Sequence, residues 1–475
     1  MTKRTFETKR AAHPAGRLTT RAAPLLLVAL LGGCSLIPAY ERPAAPIPQQ
    51  FAADMPATPA SALPGWKEYF TDPALHALIE AALANNRDMR IALARVDEAR
   101  ALAGIARADR FPTLAGQADG SRTRTPADLS GTGTTRTASR YGVSLGVTAF
   151  ELDFWGRVAA LNEAARAQYL ASDEAAKSFR IGLIGDVAST WLQLTEFDEQ
   201  IRLASDTLQT REESLDLTRK RRDAGIATDL DVLAAEGLVE SVRAQLANLK
   251  RQQRQTENAL RLLTGMAVPL PEPDSVHAQP AMAELAPGLP SEVLLRRPDV
   301  RAAEQRLIAS NANIGAARAA FFPRITLTGN FGTASSALSG LFGAGSEAWL
   351  FQPVLSMPLF DAGRNKAALE LAEARKIEAV ADYEKTIQQA FREVADALAA
   401  QATYRDQLAA QEANLRAQKA RLERVQARER AGIANYLEVL DASRDAFLAE
   451  QALATTRRQM LSVQVDLYKA LGGGA

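Results

Sequence analysis

The residue best suited to covalent chemistry is Cys34, the only cysteine among 475 residues. A basic leader precedes the apolar run 25–31, an order typical of a secretory signal whose core is too short to span a membrane. The tetrapeptide Leu31-Gly32-Gly33-Cys34 resembles a bacterial lipobox, whose cysteine receives S-diacylglycerol and then an N-acyl chain, here predicted to be palmitate. We predict a signal peptide over 1–33 and lipid attachment at Cys34. The alternative is an ordinary cleaved signal with an incidental cysteine.

The residues after Cys34 indicate where the mature protein resides. Ser35 stands where lipoproteins retained in the inner membrane typically carry aspartate, which favours the outer membrane. The following segment, 34–65, is rich in proline, which favours an extended conformation.

Other catalytic or ligand-binding chemistry has no support in the sequence. The three histidines, His13, His76 and His277, are far apart, and no second cysteine exists for a metal cluster or a disulfide. We find no glycine-rich phosphate loop and no G-x-S-x-G motif. The formal net charge is +1, so nothing suggests nucleic acid as a partner. We expect no enzyme activity, no metal and no cofactor besides the lipid.

Acidic residues follow two Ala-Gly-Ile-Ala motifs, at 224–227 and 431–434. Gly225 and Gly432 suit the left-handed position that ends a helix. Asp229 and Asn435 are of the residue types favoured at the start of the next helix. The requirements of ending one helix and starting the next therefore explain much of both motifs without any further function. The other interpretation is functional, because if copies of the chain assemble around a rotation axis, each acid that faces a lumen becomes a ring that attracts cations.

These motifs belong to an internal repeat. GIARADRFPTL (104–114) recurs as GAARAAFFPRI (315–325), and RRDAGIATDLDVL (221–233) recurs as ERAGIANYLEVL (429–440). The mature chain therefore contains two copies of one structural unit. We place the first repeat at 66–267, an equatorial linker at 268–297 and the second repeat at 298–472.

Each repeat combines very long helices with segments in which apolar residues alternate with polar or small residues. Leucines and other apolar residues recur every seven positions, as in Val187, Leu194 and Ile201, which predicts a coiled-coil seam. A proline-free helix from Arg157 to Asp223 would be ~100 Å long. The predicted class is dominated by α-helix with added membrane β-strands. Strands are predicted at 113–124, 139–152, 324–334 and 349–360, and long helices at 157–223, 229–264, 364–430 and 435–471.

Four strands are too few to close a barrel. No apolar run of roughly 18 residues follows the leader, so a membrane-embedded part would have to be a barrel shared by several protomers. The competing interpretation is a small soluble sheet in the periplasm, since strand alternation alone is a weak signal of membrane insertion.

Three stretches resemble the TolC/OprM outer-membrane efflux proteins, in the NodT-type lipoprotein branch. They are CSLIPAYERPAAPIP, WKEYFTDPALHALIEAALANN and LPSEVLLRRPDVRAAEQRL. The resemblance implies a homotrimer with one twelve-stranded barrel and a helical periplasmic tunnel. Such proteins are passive exit ducts for drugs and other small toxic solutes. They serve tripartite pumps with a proton-driven inner-membrane transporter of the resistance-nodulation-division (RND) type and a periplasmic adaptor.

The resemblance also assigns roles at the two motifs. Glu438 and Asp441 match the family's acidic constriction at the periplasmic end, and Asp231 matches an acid that TolC holds with an arginine. Here that arginine position reads Ala434, so another contact, for example a hydrophobic one, must hold the closed state. The predicted adaptor-contact tips are Gly225, Ile226, Gly432 and Ile433.

Two alternatives remain open at this stage. One is a periplasmic coiled-coil lipoprotein without a pore. The other is a duct with a different cargo, serving metal-ion efflux or type I protein secretion, because substrate choice resides mostly in the transporter and fold does not supply function.

Overall fold

The computed structural model describes residues 35–48, 51, 64–265 and 291–473. The chain divides into two compact units. The first contains Met1–Glu41, Ala101–Ala167 and Ile308–Glu378, and the second contains Arg42–Arg100, Gln168–Leu307 and Ala379–Ala475. Cys34 and most of the predicted equatorial linker lie outside the described residues.

Helices account for most of the described chain. In chain order they are α1 (Trp66–Tyr69), α2 (Pro73–Asn85), α3 (Arg87–Ala108), α4 (Arg157–Asp223), α5 (Asp229–Thr264), α6 (Pro298–Ala319), α7 (Arg364–Arg430) and α8 (Tyr436–Ala470). No helix in the described ranges is both long enough and apolar enough to cross a membrane.

The seven-residue spacing of apolar side chains coincides with burial in the second unit. Val187 and Leu194 of α4 lie in one apolar cluster with Trp191 and Tyr468. Tyr69 stacks on Tyr468 with ring centroids 4.6 Å apart, and Trp191 Nε1 donates to Asp72 Oδ2 at 2.8 Å. The seam of α7, at Leu408, Leu415 and Leu422, is only half-buried within a single chain.

The RRPDV stretch joins the start of α6 to the end of α8. Arg297 is buried, and its Nη1 donates to the carbonyl oxygen of Ala470 at 2.6 Å. The same guanidinium pairs with Asp299 at 2.7 Å and with Glu393 at 2.9 Å. A buried cation thus has acceptors on three elements, which fixes their relative positions.

The first unit contains a four-stranded antiparallel sheet in the order β1 (Leu114–Thr125), β2 (Arg136–Leu152), β3 (Arg324–Ser335) and β4 (Glu347–Ser356). The register places Leu145 opposite Phe331 and Phe331 opposite Trp349. Because side chains alternate between faces, these apolar residues share one face of the sheet. Trp349 is 75% exposed, so this apolar face is uncovered in the single chain.

Two predicted strand boundaries are wrong by three residues or more, and the others agree to within two. β2 begins at Arg136 rather than at 139, because Arg136 pairs with Thr125 at the end of β1. β4 ends at Ser356 rather than at 360, because its partner β3 begins at Arg324, opposite Ser356, and Pro358 cannot donate to a ladder. In both cases the pairing partner sets the limit.

The described part of the proline-rich segment docks on α6. In the first unit, Asn311 Nδ2 donates to the carbonyl oxygen of Pro38 at 2.8 Å, and Ile37 packs among small residues of α4 and α6. In the second unit, Arg42 forms a two-pronged ion pair with Glu304, at 2.6 Å and 3.0 Å. The segment that follows the predicted lipid site is therefore held by packing and by charge.

The repeat supplies a matched test of this docking. An added methyl group at Gly315 would lie 2.6 Å from Ile37 Cγ1, whereas one at its repeat equivalent, Gly104, meets nothing within 4 Å. Gly315→Ala should displace the segment, since overpacking costs about 1–3 kcal/mol. We expect cleavage by chymotrypsin after Tyr40 to rise about tenfold, measured by mass spectrometry of the full-length protein.

Gly104→Ala is the control, and it should leave cleavage unchanged because alanine favours a helix interior. Equal cleavage rates for the two variants would contradict the role of Ile37 in docking.

Candidate functional site

The two Ala-Gly-Ile-Ala motifs form turns of one design. Gly225 has φ +78° and Gly432 has φ +69°, the left-handed conformation predicted for both. The N–H of Ile226 donates to the Arg221 carbonyl oxygen at 2.8 Å, and the N–H of Gly225 to that of Arg222, also at 2.8 Å. These bonds form a Schellman motif that closes the end of α4. The second turn repeats the arrangement at the end of α7, with Ile433 and Gly432 as donors.

Both turns leave an isoleucine in solvent. Ile226 is 76% exposed and Ile433 is 70% exposed. In a Schellman motif this residue usually packs against the residue five positions earlier, but that position holds an arginine in each turn, Arg221 and Arg428. Each turn therefore presents an apolar side chain that the chain itself does not cover.

The acids Asp231 and Glu438 occupy equivalent positions as partners in capping boxes. The backbone N–H and the hydroxyl of Thr228 donate to Asp231 Oδ2 at 2.8 Å and 2.7 Å. These hydrogen bonds, first from the hydroxyl and then from the backbone, hold the pKa of Asp231 below its usual range. In α8, the N–H of Asn435 donates to Glu438 Oε1 at 3.3 Å.

Of the two residues predicted to start helices, one is confirmed and the other is wrong. Asn435 caps α8 as expected, and its side chain accepts from the N–H of Leu437 at 3.0 Å. Asp229, however, is the first residue of α5, and Thr228 is the cap. Thr228 occupies the position because its hydroxyl reaches the N–H of Asp231 while Asp231 reaches back.

Asp441 lies one turn after Glu438 on α8. Residues three apart on a helix are neighbours, so the two carboxylates share a face. Both are half-exposed, and each has a basic neighbour: Arg444 lies 3.3 Å from Asp441, and Arg428 lies 3.5 Å from Glu438. The structure thus places Asp231 and Glu438 in the first turns of the helices that follow the motifs, and Asp441 in the second turn of α8.

The helical hairpins α4–α5 and α7–α8 contact each other through side chains. These contacts were not predicted from the sequence. Arg221 Nη1 lies 2.5 Å from Glu429 Oε1, an ion pair that joins the end of α4 to the end of α7. The hydroxyl groups of Ser214 and Tyr436 also contact each other, joining α4 to the start of α8. One signal was available in the sequence, because Glu429 stands where the first repeat has Arg222, a reversal of charge between equivalent positions.

The sheet offers a second surface with two different faces. Phe331, Trp349 and Phe351 project from the exposed apolar face, whereas Ser144, Asn330 and Gln352 alternate onto the other. Such a sheet can place one face against an apolar medium and the other against water. Among the described residues, no group of three or more histidine, cysteine, aspartate or glutamate side chains could hold a metal ion.

Two turns of one design, long helices with apolar seams and a sheet with an uncovered apolar face define a membrane protein built from two repeats. The family is that of the outer membrane efflux proteins, which matches residues 78–266 and 289–473. The chain belongs to this family, and it is a protein of the bacterial outer membrane. The resemblance inferred from the sequence is thereby confirmed.

Relatives and solved structures agree with this assignment. The solvent efflux pump outer membrane protein SrpC of Pseudomonas putida is 48% identical over 462 residues, which cover 96% of this chain and 98% of that protein. The outer membrane protein OprJ of Pseudomonas aeruginosa is 47% identical over 460 residues, 95% of each chain. A crystal structure of a membrane protein from Pseudomonas aeruginosa matches with a TM-score of 0.88 at 46% identity, covering 93% of this chain and 98% of that one.

Proposed function

We propose that this chain is the outer-membrane exit duct of a tripartite efflux pump of the RND type. In this role it lets drugs, organic solvents and other small toxic solutes pass from the periplasm to the exterior without catalysing a reaction. The observation that carries the proposal is the four-stranded sheet with one exposed apolar face, in a chain of the outer membrane efflux family. The name of SrpC supports solvents as one substrate class.

The sheet requires partner chains to enter a membrane. Within the described sheet, β1 and β4 are the outer strands, and each pairs on one side only. Unpaired backbone groups cost several kcal/mol each in hydrocarbon. Three copies joined edge to edge would pair every strand in a twelve-stranded barrel, with the apolar face toward lipid and the polar face toward the lumen. We therefore propose a homotrimer.

Threefold symmetry would convert the acids of the tips into rings. Three copies each of Asp231, Glu438 and Asp441 around the axis would form a gate that attracts cations and resists close approach of its members. Since Ala434 replaces the arginine that TolC uses, we propose that the ion pair of Arg221 with Glu429 and the contact of Ser214 with Tyr436 hold the closed state.

The exposed isoleucines of the turns are proposed contacts for the periplasmic adaptor. Ile226 and Ile433, each beside its turn glycine, Gly225 or Gly432, are apolar groups at the ends of the helical hairpins. An adaptor that covers them would gain about 25 cal/mol for each Å² of apolar surface removed from water. The adaptor would connect the duct to an RND-type transporter in the inner membrane.

The lipid at Cys34 is proposed to anchor the chain in the outer membrane. With S-diacylglycerol and N-palmitate, three acyl chains would enter the bilayer, and each buried CH₂ contributes about 0.8 kcal/mol. Attachment would then be effectively permanent. Docking of residues 35–48 on α6 would hold the anchored end of the chain against the body.

The lipid proposal predicts the fate of a radiolabelled fatty acid. Cells that express the full-length protein should incorporate labelled palmitate into it, and Cys34→Ser should abolish the label because the thiol that starts lipidation is absent. Ser35→Cys, Cys34→Ser is the control, since it moves the thiol by one residue and should stay unlabelled. Label that persists in Cys34→Ser would refute attachment at this residue.

The shared barrel predicts opposite outcomes for neighbouring residues of β4. Phe351→Lys puts a charge on the apolar face, which costs about 2–4 kcal/mol at the bilayer midplane. Gln352→Lys puts the same charge on the polar face. We expect Phe351→Lys to lose heat-modifiable trimers on gels. Gln352→Lys should keep the trimers and shift ion selectivity in planar bilayers.

Two results would count against the duct. Trimers of Phe351→Lys as abundant as those of the Gln352→Lys protein would mean that the apolar face does not contact lipid. Wild-type protein that conducts no ions in bilayers would favour the alternative of a lipoprotein without a pore.

The acid rings predict the charge preference of the pore. Glu438→Gln with Asp441→Asn removes both charges while keeping the shapes of the side chains. We expect the cation-to-anion permeability ratio to fall at least threefold in planar bilayers, because rings of carboxylates concentrate cations. Glu423→Gln is the matched control, since it removes an exposed charge from α7 away from the turn. If selectivity and vancomycin susceptibility of cells both match the wild type, the acids do not line the gate.

A further inference from the structure

Arg211 of α4 is a buried cation within the helical unit. Only 6% of its surface is exposed. Its Nη1 donates to the carbonyl oxygen of Leu238 in α5 at 3.1 Å, and its guanidinium lies 5.7 Å from the ring centroid of Phe447 in α8. Arg211 is therefore enclosed where three helices meet.

The guanidinium lacks the partners that such burial ordinarily requires. Its Nε and Nη2 are buried without a hydrogen-bond acceptor, and no carboxylate among the described residues forms an ion pair with it. Burial, together with the nearby positive charge of Arg444, lowers the pKa of Arg211. An arginine nevertheless remains charged in a protein.

The surroundings of Arg211 are otherwise well suited to tight packing. One apolar cluster contains Ala204, Val242, Leu249 and Phe447, and a second, nearer the turn, contains Leu215, Val232, Ala235 and Val239. An aromatic face recovers part of the hydration that a buried cation loses, but two unmet donors leave a net penalty. The penalty applies only while the helices stay packed, because water reaches the guanidinium when they separate.

We propose that Arg211 biases the helical tip toward opening, since separation of α4 from α8 returns its guanidinium to water. The proposal rests on the proposed duct function and adds a regulatory element to the same gate. Arg211 opposes the ion pair of Arg221 with Glu429, which joins α4 to α7, and the contact of Ser214 with Tyr436, which joins α4 to α8. By destabilising the packed tip, Arg211 reduces the preference for the open tip that an adaptor needs in order to shift the population.

Substitution by a residue of similar length tests this bias. Arg211→Met keeps an unbranched side chain and removes the charge, so the packed state should become more stable. We expect the open probability of full-length trimers in planar bilayers to fall about tenfold. Amide hydrogen exchange in detergent should slow over residues 201–223 and 436–450.

Two further variants complete the comparison. Arg211→Lys keeps a buried cation and should behave like the wild type, although lysine loses the planar contact with Phe447. Glu429→Gln removes an opposing contact and should raise the open probability and accelerate exchange. Agreement of all three variants with these directions would support the bias.

The exchange measurement needs no pore, so it separates this inference from the function on which it rests. Faster exchange in Arg211→Met than in the wild type, with trimers intact, would overturn the proposal and make Arg211 a stabilising anchor for Phe447 and Leu238. If wild-type trimers conduct no ions, the duct function fails, and exchange alone still shows whether Arg211 destabilises the packed helices.

Discussion

The backbone at the outer edges of the sheet constrains the assembly more than any side chain does. β1 and β4 each have one paired side in the described sheet, while Phe331, Trp349 and Phe351 make its exposed face suited to lipid. A bilayer supplies no water to satisfy free N–H and C=O groups, so chains must supply the missing pairs. If copies of the chain close the proposed barrel, the long helices of each copy would acquire symmetry-related neighbours. The half-buried seam of α7, with Leu408, Leu415 and Leu422, then has surfaces against which to pack.

Closure of the proposed barrel would also give a functional role to residues that have only a structural role in a single chain. Asp231 and Glu438 complete capping boxes, which any helix start could use. Around an axis the identical carboxylates would repeat at one level of the channel, and local stabilisation and electrostatic selection would then depend on the same atoms. In the proposed assembly the acids would serve both interpretations at once. The capping bonds fix where each carboxylate lies, and a ring of fixed charges acts on a passing ion more strongly than mobile ones.

Much of this arrangement could be predicted from the sequence because it follows from local rules. The left-handed glycines at 225 and 432, the cap at Asn435 and the four alternating segments each depend on residues a few positions apart. One failure is local, since Thr228 rather than Asp229 caps α5, and the others involve distant partners. The end of β4 is set by where β3 begins, and the bonds of Arg221 to Glu429 and of Arg42 to Glu304 join residues more than 200 positions apart. No periodicity encodes such pairs, although the charge reversal between Arg222 and Glu429 marked one of them.

Asymmetry between the repeats has a physical consequence for the gate. The two turns have the same backbone hydrogen-bond pattern, so backbone geometry alone does not favour movement of one hairpin over the other. The differences lie in side chains: an acid at Glu429 against a base at Arg222, a tyrosine at 436 against Asp229, and a buried arginine at 211. Glu429 and Tyr436 contact α4 of the other hairpin, whereas Arg211 contacts Leu238 of its own hairpin and Phe447 of the other. Identical turns can thus stay rigid while the contacts between them change, which would confine opening to a shift of one hairpin against the other. Rigid turns would also keep the exposed side chains of Ile226 and Ile433 in a fixed position during that shift, as the proposed docking of an adaptor requires.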